Sequence, residues 1–190
     1  MRIAICPGHH GGAKGAQNAA FGLNEYDEAT RVVKHLSDKL THRGHEVVVI
    51  VGRLREKVIA VNAGRFDLAL DVHFNADAET ADTDNAKGRG CMVVHVPGND
   101  ARKRQAARMS SVIADLMGER DLGSFEGWYA GNRAKKDYFL ENTNCPAFIL
   151  EPLFLDNNAS AEYWLVGNRH EQIAEAIAVA VIEVMDGGVA

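Results

Sequence analysis

Short apolar runs alternate with segments of helical period along almost the whole chain, and this alternation restricts the fold more than any other feature. Residues 2–6, Val47 to Val51, Asp67 to His73, Cys91 to Val96 and Phe148 to Leu150 read as strands, being short, apolar and rich in β-branched side chains. From Glu25 the period changes: Ala29, Val32, Val33, Leu36 and Leu40 recur at three- and four-residue intervals up to Gly44. That is an amphipathic helix with a glycine stop. Leu54 to Gly64, residues 100–118 and Ile173 to Met185 supply three more helical stretches. The order implies an α/β fold, with a mostly parallel or mixed twisted sheet and helices on both faces. The unbroken β-branched run at Val47 to Val51 predicts a strand covered on both faces. Residues 7–24 form a glycine-containing loop, 75–89 a polar exposed loop, and 119–137 an irregular segment around Phe125, Trp128 and Tyr129. With 190 residues and no linker-like stretch, residues 1–190 are expected to form a single domain without a separate second module.

A net charge of -5 provides no basic field, so a nucleic-acid partner is not expected. The local cluster Arg102-Lys103-Arg104 reads as a solvated helix face. No window reaches the roughly 18–20 apolar residues of a membrane span, so membrane insertion is not expected either. Three cysteines, Cys6, Cys91 and Cys145, are too few and odd in number for a disulfide framework, and they suit a reducing compartment. The N-terminal residues lack the longer apolar stretch of a signal peptide. The expectation is a chain made in the cytoplasm without its own export signal.

Four polar residues stand where strands end or a helix begins: His9, Glu25, His73 and Glu151. In open α/β sheets the carboxyl ends of the strands line one crevice, where ligands bind. Two imidazoles and a carboxylate make a three-ligand zinc site with an open position. A further carboxylate beside it can act as general base. Each residue also has a plainer reading. His73 follows an apolar strand and could be a satisfied core histidine. Glu25 at a helix start is favoured by the helix dipole without any metal. Glu151 lies between apolar runs, where an unpaired carboxylate is costly, and is the hardest to explain as mere structure. The glycines of residues 8–22 match neither G-x-G-x-x-G nor a Gly-Lys-Ser/Thr ending, so nucleotide binding is set aside.

The motifs around these residues resemble those of the zinc-dependent N-acetylmuramoyl-L-alanine amidases, found among cell-separation enzymes, spore-lysis enzymes and phage endolysins. The family's Asp-Pro-Gly-His-Gly-Gly is matched by Cys6-Pro7-Gly8-His9-His10-Gly11, and the glutamate before its first helix by Asn24-Glu25. Its Ser-x-His-x-Asn-Ala is matched by Asp71-Val72-His73-Phe74-Asn75-Ala76. Its Pro-Ala-x-Leu-x-Glu-x-x-Phe-x-x-Asn is matched from Pro146 through Glu151 to Asn157. The resemblance spans nearly the whole chain. It implies one Zn2+ per chain held by His9, Glu25 and His73, with Glu151 as catalytic base and peptidoglycan as substrate. The bond cut would be the amide between the N-acetylmuramic acid lactyl group and L-alanine, and the setting a lysin acting on the cell wall after release. Alternatives are another zinc amidohydrolase or peptidase on the same fold, and a peptidoglycan-binding module without catalysis.

Two departures stand beside the ligands. Cys6 replaces the family's acid before Pro-Gly, and Asp71 replaces the serine before the second histidine. Asp71 shares a strand face with His73 and is a candidate to orient it. Cys6 reads as a small buried thiol rather than a ligand. His10, adjacent to His9, is an alternative ligand, and Asn75 a further candidate for the surroundings of the metal. Trp128, Tyr129 and Arg133 are candidates for the substrate groove, and Asn142 and Asn144 for contacts to peptide.

Overall fold

The computed structural model of the chain describes residues 1–77, 88–128 and 135–187. A six-stranded sheet carries the fold. Its strands are β1 (Arg2–Pro7), β4 (Glu46–Val49), β5 (Leu68–Val72), β6 (Cys91–His95), β7 (Asp121–Glu126) and β8 (Ala147–Glu151). A two-stranded hairpin of β2 (Gln17–Asn18) and β3 (Leu23–Asn24) lies in the loop after β1. The sheet order is β4-β1-β5-β8-β6-β7. The first four strands run parallel, β6 runs antiparallel to β8, and β7 is parallel to β6. The sheet is therefore mixed, as one of the two expected arrangements.

Helices cover both faces. The long helices α1 (Glu25–His42), α3 (Asp100–Met117) and α6 (His170–Asp186) lie on one side over the larger core, with Ile3, Ile5, Leu36, Leu70, Phe148 and Ile177 fully buried. On the other side α2 (Leu54–Gly64) and α4 (Tyr138–Asn142) cover a smaller cluster of Ala4, Cys6, Val58, Val61, Ala69 and Phe139. The period of two along β1 and β5 sends Ile3, Ile5, Leu68 and Leu70 to the first side, and Ala4, Cys6 and Ala69 to the second. A four-residue helix, α5 (Asn158–Ala161), and a π-helical turn (Glu162–Val166) lead into α6.

Three expectations are corrected. Val47 and Val48 do pack on opposite sides of the sheet, but β4 is an edge strand and Val49 stays 42% exposed. β-branched content produces the strand, whereas its place in the sheet decides its burial. Residues 119–137 are not wholly irregular, since Asp121–Glu126 form the other edge strand, β7. Its ladder is interrupted between Cys91 and Met92, and Gly123 has a φ of 82°. A bulged, half-exposed edge shows no apolar alternation to read. The last helix begins at His170 rather than Ile173, because its first turn of His170, Glu171 and Gln172 is polar. Among the described residues no helix is long and apolar enough to cross a membrane, and Cys6, Cys91 and Cys145 are free thiols.

Candidate metal centre

The strands β1, β5 and β8 are neighbours and parallel, so their carboxyl ends open on one edge of the sheet. His9 follows the end of β1, His73 the end of β5, and Glu151 closes β8. Backbone pairing continues to the rim: the Gly8 N–H donates to the Val72 carbonyl at 2.6 Å, and the His73 N–H to the Leu150 carbonyl at 2.8 Å. The crevice expected from strand order is thus the place where three of the four residues meet.

Glu25 reaches this rim from the opposite side, as the first residue of α1. Its place suits the helix dipole, but it is not the cap of the helix. Asn24 caps the helix by accepting from the Asp27 N–H, and Asp27 and Glu28 also place acid in the first turn. Glu28 pairs with His170 at the start of α6 at 2.6 Å, which anchors that turn. Glu25 itself is 3% exposed. Its Oε2 lies 2.9 Å from His9 Nε2 and accepts from the Ala16 N–H at 2.9 Å. Its Oε1 lies 2.8 Å from His73 Nδ1 and accepts from the Phe74 N–H at 3.2 Å. Burial would raise its pKa, but hydrogen bonds from His73 and His9 outweigh this and hold the carboxyl far below the usual range.

His9, Glu25 and His73 each offer one ligand atom within 4.8 Å of the others. Two nitrogens and a carboxylate oxygen converging at this range are the donor set of a three-ligand hydrolytic metal site. Two glycines allow the approach. A Cβ on Gly8 would stand 2.7 Å from the His73 ring, and a Cβ on Gly15 would overlap Glu25 Oε2 and the ring of His9. His9 has a φ of 60°, a left-handed conformation uncommon for a residue with a Cβ.

Glu151 stands beside this cluster with Oε2 buried and without a hydrogen-bond partner among the described residues. Burial pushes its pKa up to about 8; the neighbouring Glu25 and Asp71 carboxylates add to this, against the influence of His73. The pKa of His73 is raised as well. Burial would lower its pKa, but Asp71 and Glu25 keep it well above 6.5. A cavity of about 460 Å³ opens over the rim, lined by His9, His10, Arg53, Arg55, Asp71 and His73 among others.

The remaining candidates separate clearly. Asp71 lies with Oδ2 3.2 Å from His73 Nε2, on the face that the strand period predicts. Cys6 is fully buried in the cluster under α2 and α4, with its thiol pKa raised strongly by burial and by Asp71. His10 lines the cavity, but its Nδ1 accepts from the Gly12 N–H at 3.1 Å and it is not one of the three clustered residues. The Asn75 side chain instead contacts Met92 Sδ and the Ala76 N–H. Trp128 donates from Nε1 to Glu126 at 3.1 Å and is not among the cavity-lining residues. Tyr129 and Arg133 lie outside the described residues. The Asn142 carbonyl accepts from the Asn62 side chain and the Asn144 N–H donates to it, the Asn142 side chain donates to the Tyr138 carbonyl, and neither residue lines the cavity.

Two contributors escape a reading of the sequence. Gly15 is one glycine among several in its loop, with nothing local to mark it. Lys57 is 2% exposed and donates to the Pro7 carbonyl and to Asp71. A signal for it existed: it lies four residues before Val61 on the buried face of α2.

Known proteins resemble the chain in sequence and in fold. A family model described as N-acetylmuramoyl-L-alanine amidase matches residues 3–183. The chain is 27% identical over 186 residues to an endolysin of Bacillus phage SPP1, covering 94% of this chain and 64% of the relative. It is 26% identical over 169 residues to the N-acetylmuramoyl-L-alanine amidase CwlM of Bacillus licheniformis, covering 85% of this chain and 60% of the relative. The chain thus spans less than two thirds of the length of these two relatives. In fold it is similar to an N-acetylmuramoyl-L-alanine amidase from Clostridium difficile 630, with a TM-score of 0.84, 24% identity and coverage of 98% and 97% of the two chains. It is also similar to the catalytic domain of the CD27L endolysin, with a TM-score of 0.77, 24% identity and coverage of 96% and 97%. With a family match across almost its full length, the chain belongs to the N-acetylmuramoyl-L-alanine amidase family.

Proposed function

We propose that the chain is a zinc-dependent amidase that hydrolyses the amide between the lactyl group of N-acetylmuramic acid and the L-alanine of peptidoglycan stem peptides. The observation that carries this reading is the convergence of His9 Nε2, Glu25 and His73 Nδ1 beside the buried carboxyl oxygen of Glu151, which has no hydrogen-bond partner among the described residues. Those three residues would hold the zinc. When bound there, zinc polarises the scissile carbonyl and lowers the pKa of a water toward about 7.

The rest of the chemistry belongs to the chain. Glu151 takes a proton from the attacking water at its carboxylate and returns it to the leaving amine of L-alanine. Burial raises the proton affinity of this carboxyl, which favours its taking a proton from the water. Glu25 is oriented by the Ala16 and Phe74 backbone N–H groups, which involve none of the ligand nitrogens and leave its carboxylate to offset the charge of a bound cation. The cavity of about 460 Å³ is of a size to take the sugar–peptide junction. Likeness to a phage endolysin supports a lytic role on the wall after release, and residues 1–190 are read as one catalytic domain.

The Glu151→Ala variant tests the assignment. It should bind zinc as the parent does and clear purified cell walls about 10²–10⁴-fold more slowly. Clearing at near the parent rate would remove Glu151 from the mechanism.

A further inference from the structure

Lys57 is a buried cation that the reaction above does not use. An ammonium 2% exposed is costly unless it is paired, so its partners indicate its purpose. Its Nζ donates to the carbonyl of Pro7, the last residue of β1 and two positions before His9. It also donates to Asp71 Oδ1 at 3.2 Å. Asp71, likewise 2% exposed, turns its other oxygen to His73 Nε2 at 3.2 Å. The opposite nitrogen of that ring, Nδ1, is the one that faces Glu25. One ammonium therefore grips both chain segments that carry imidazoles: the exit of β1 by its backbone, and the end of β5 through a carboxylate.

The two departures from the family's motifs fall into the same arrangement. Residues 6 and 71 are register partners on β1 and β5. The acid missing at Cys6 is replaced by an acid on the neighbouring strand, at the position that Lys57 and His73 share.

Resting on the reading of His9, Glu25 and His73 as zinc ligands, we propose that Lys57 and Asp71 form a buried positioning pair for the metal centre. Asp71 accepts from His73 Nε2 and so leaves Nδ1 as the nitrogen presented to the metal. Lys57 holds Asp71 in place, balances its charge, and fixes the backbone that leads into His9. Carboxylates behind a ligating imidazole orient the ring and increase its basicity, and their loss typically costs 10–100-fold in metal affinity.

The test uses the full chain and two variants. Asp71→Asn is isosteric and still offers Lys57 an oxygen. The paired variant Lys57→Met with Asp71→Asn removes the cation without leaving a buried carboxylate alone. The zinc dissociation constant is measured by competition with a fluorescent chelator at fixed pH, the metal-free melting temperature by thermal unfolding, and the ligand geometry by the absorption spectrum of the cobalt-substituted protein. The proposal expects zinc to bind about 10–100-fold more weakly in both variants, with a shifted cobalt spectrum; the metal-free melting temperature stays near the parent's in the paired variant and falls in Asp71→Asn, where Lys57 loses its counter-charge. A variant that folds, binds zinc within threefold of the parent and keeps the parent's cobalt spectrum overturns the positioning role and leaves the zinc reading intact. A parent that takes up no zinc overturns both.

Discussion

Gly15 and Glu25 are in such close contact that the loop after β1 and the first turn of α1 can meet only where residue 15 has no side chain. With a φ of 75°, the same residue also needs a backbone conformation that costs other residues about 1–2 kcal/mol. Gly15→Ala should therefore displace Glu25 and His9 together. Zinc affinity is expected to fall by about tenfold or more, one decade corresponding to about 1.4 kcal/mol. Isothermal titration of the metal-free protein measures this, and affinity equal to the parent's would show that the approach is not strained.

Zinc should act as a stabilising ligand. Free metal at 100 times its dissociation constant adds about 2.7 kcal/mol. For a chain of 190 residues that corresponds to a rise in melting temperature of about 5–11 °C. Thermal unfolding with and without a chelator checks it, and magnesium in place of zinc should leave the curve where it was.

The pH dependence of the metal-free protein should carry the signature of Glu151. Its folded pKa is raised from 4.5 to about 8, so the neutral carboxyl is favoured in the folded state. The resulting stability is fully present below about pH 4.5 and is lost as pH rises through about 8. The parent's melting temperature should therefore fall more steeply between about pH 5 and pH 8 than that of Glu151→Gln, which does not titrate there. Parallel curves for the two proteins would contradict the shift.

His10 and Cys6 should prove dispensable to the metal. The His10 side chain is engaged with the Gly12 N–H, and the Cys6 thiol is kept protonated within an apolar cluster. His10→Ala and Cys6→Ala are each expected to retain one zinc per chain by atomic absorption, and loss of the metal in either would add that residue to the ligand set.

How far the sequence reveals this arrangement depends on whether a residue's role is local or set by its neighbours in space. The strands and long helices show in their periods, and His9, His73 and Glu151 show at strand ends because parallel strands bring those ends to one edge. Glu25 has two local readings, since a helix start suits an acid with or without a metal; its distance to the two imidazoles is set by the fold and is not legible in the sequence. β7 was hidden because a bulged edge strand has no face to alternate, and the exposure of Val49 follows from strand order rather than residue type. Gly15 and Lys57 matter through contacts with residues 10 and 14 positions away or on other strands, which no short motif records.

The central claim is the bond that is cut, and mass spectrometry of the products from purified sacculi digested by the zinc-loaded protein tests it most directly. The account predicts stem peptides released with a free L-alanine amino terminus and glycan strands left uncut, with no release after chelation. Fragments cleaved within the stem peptide or within the glycan would contradict it.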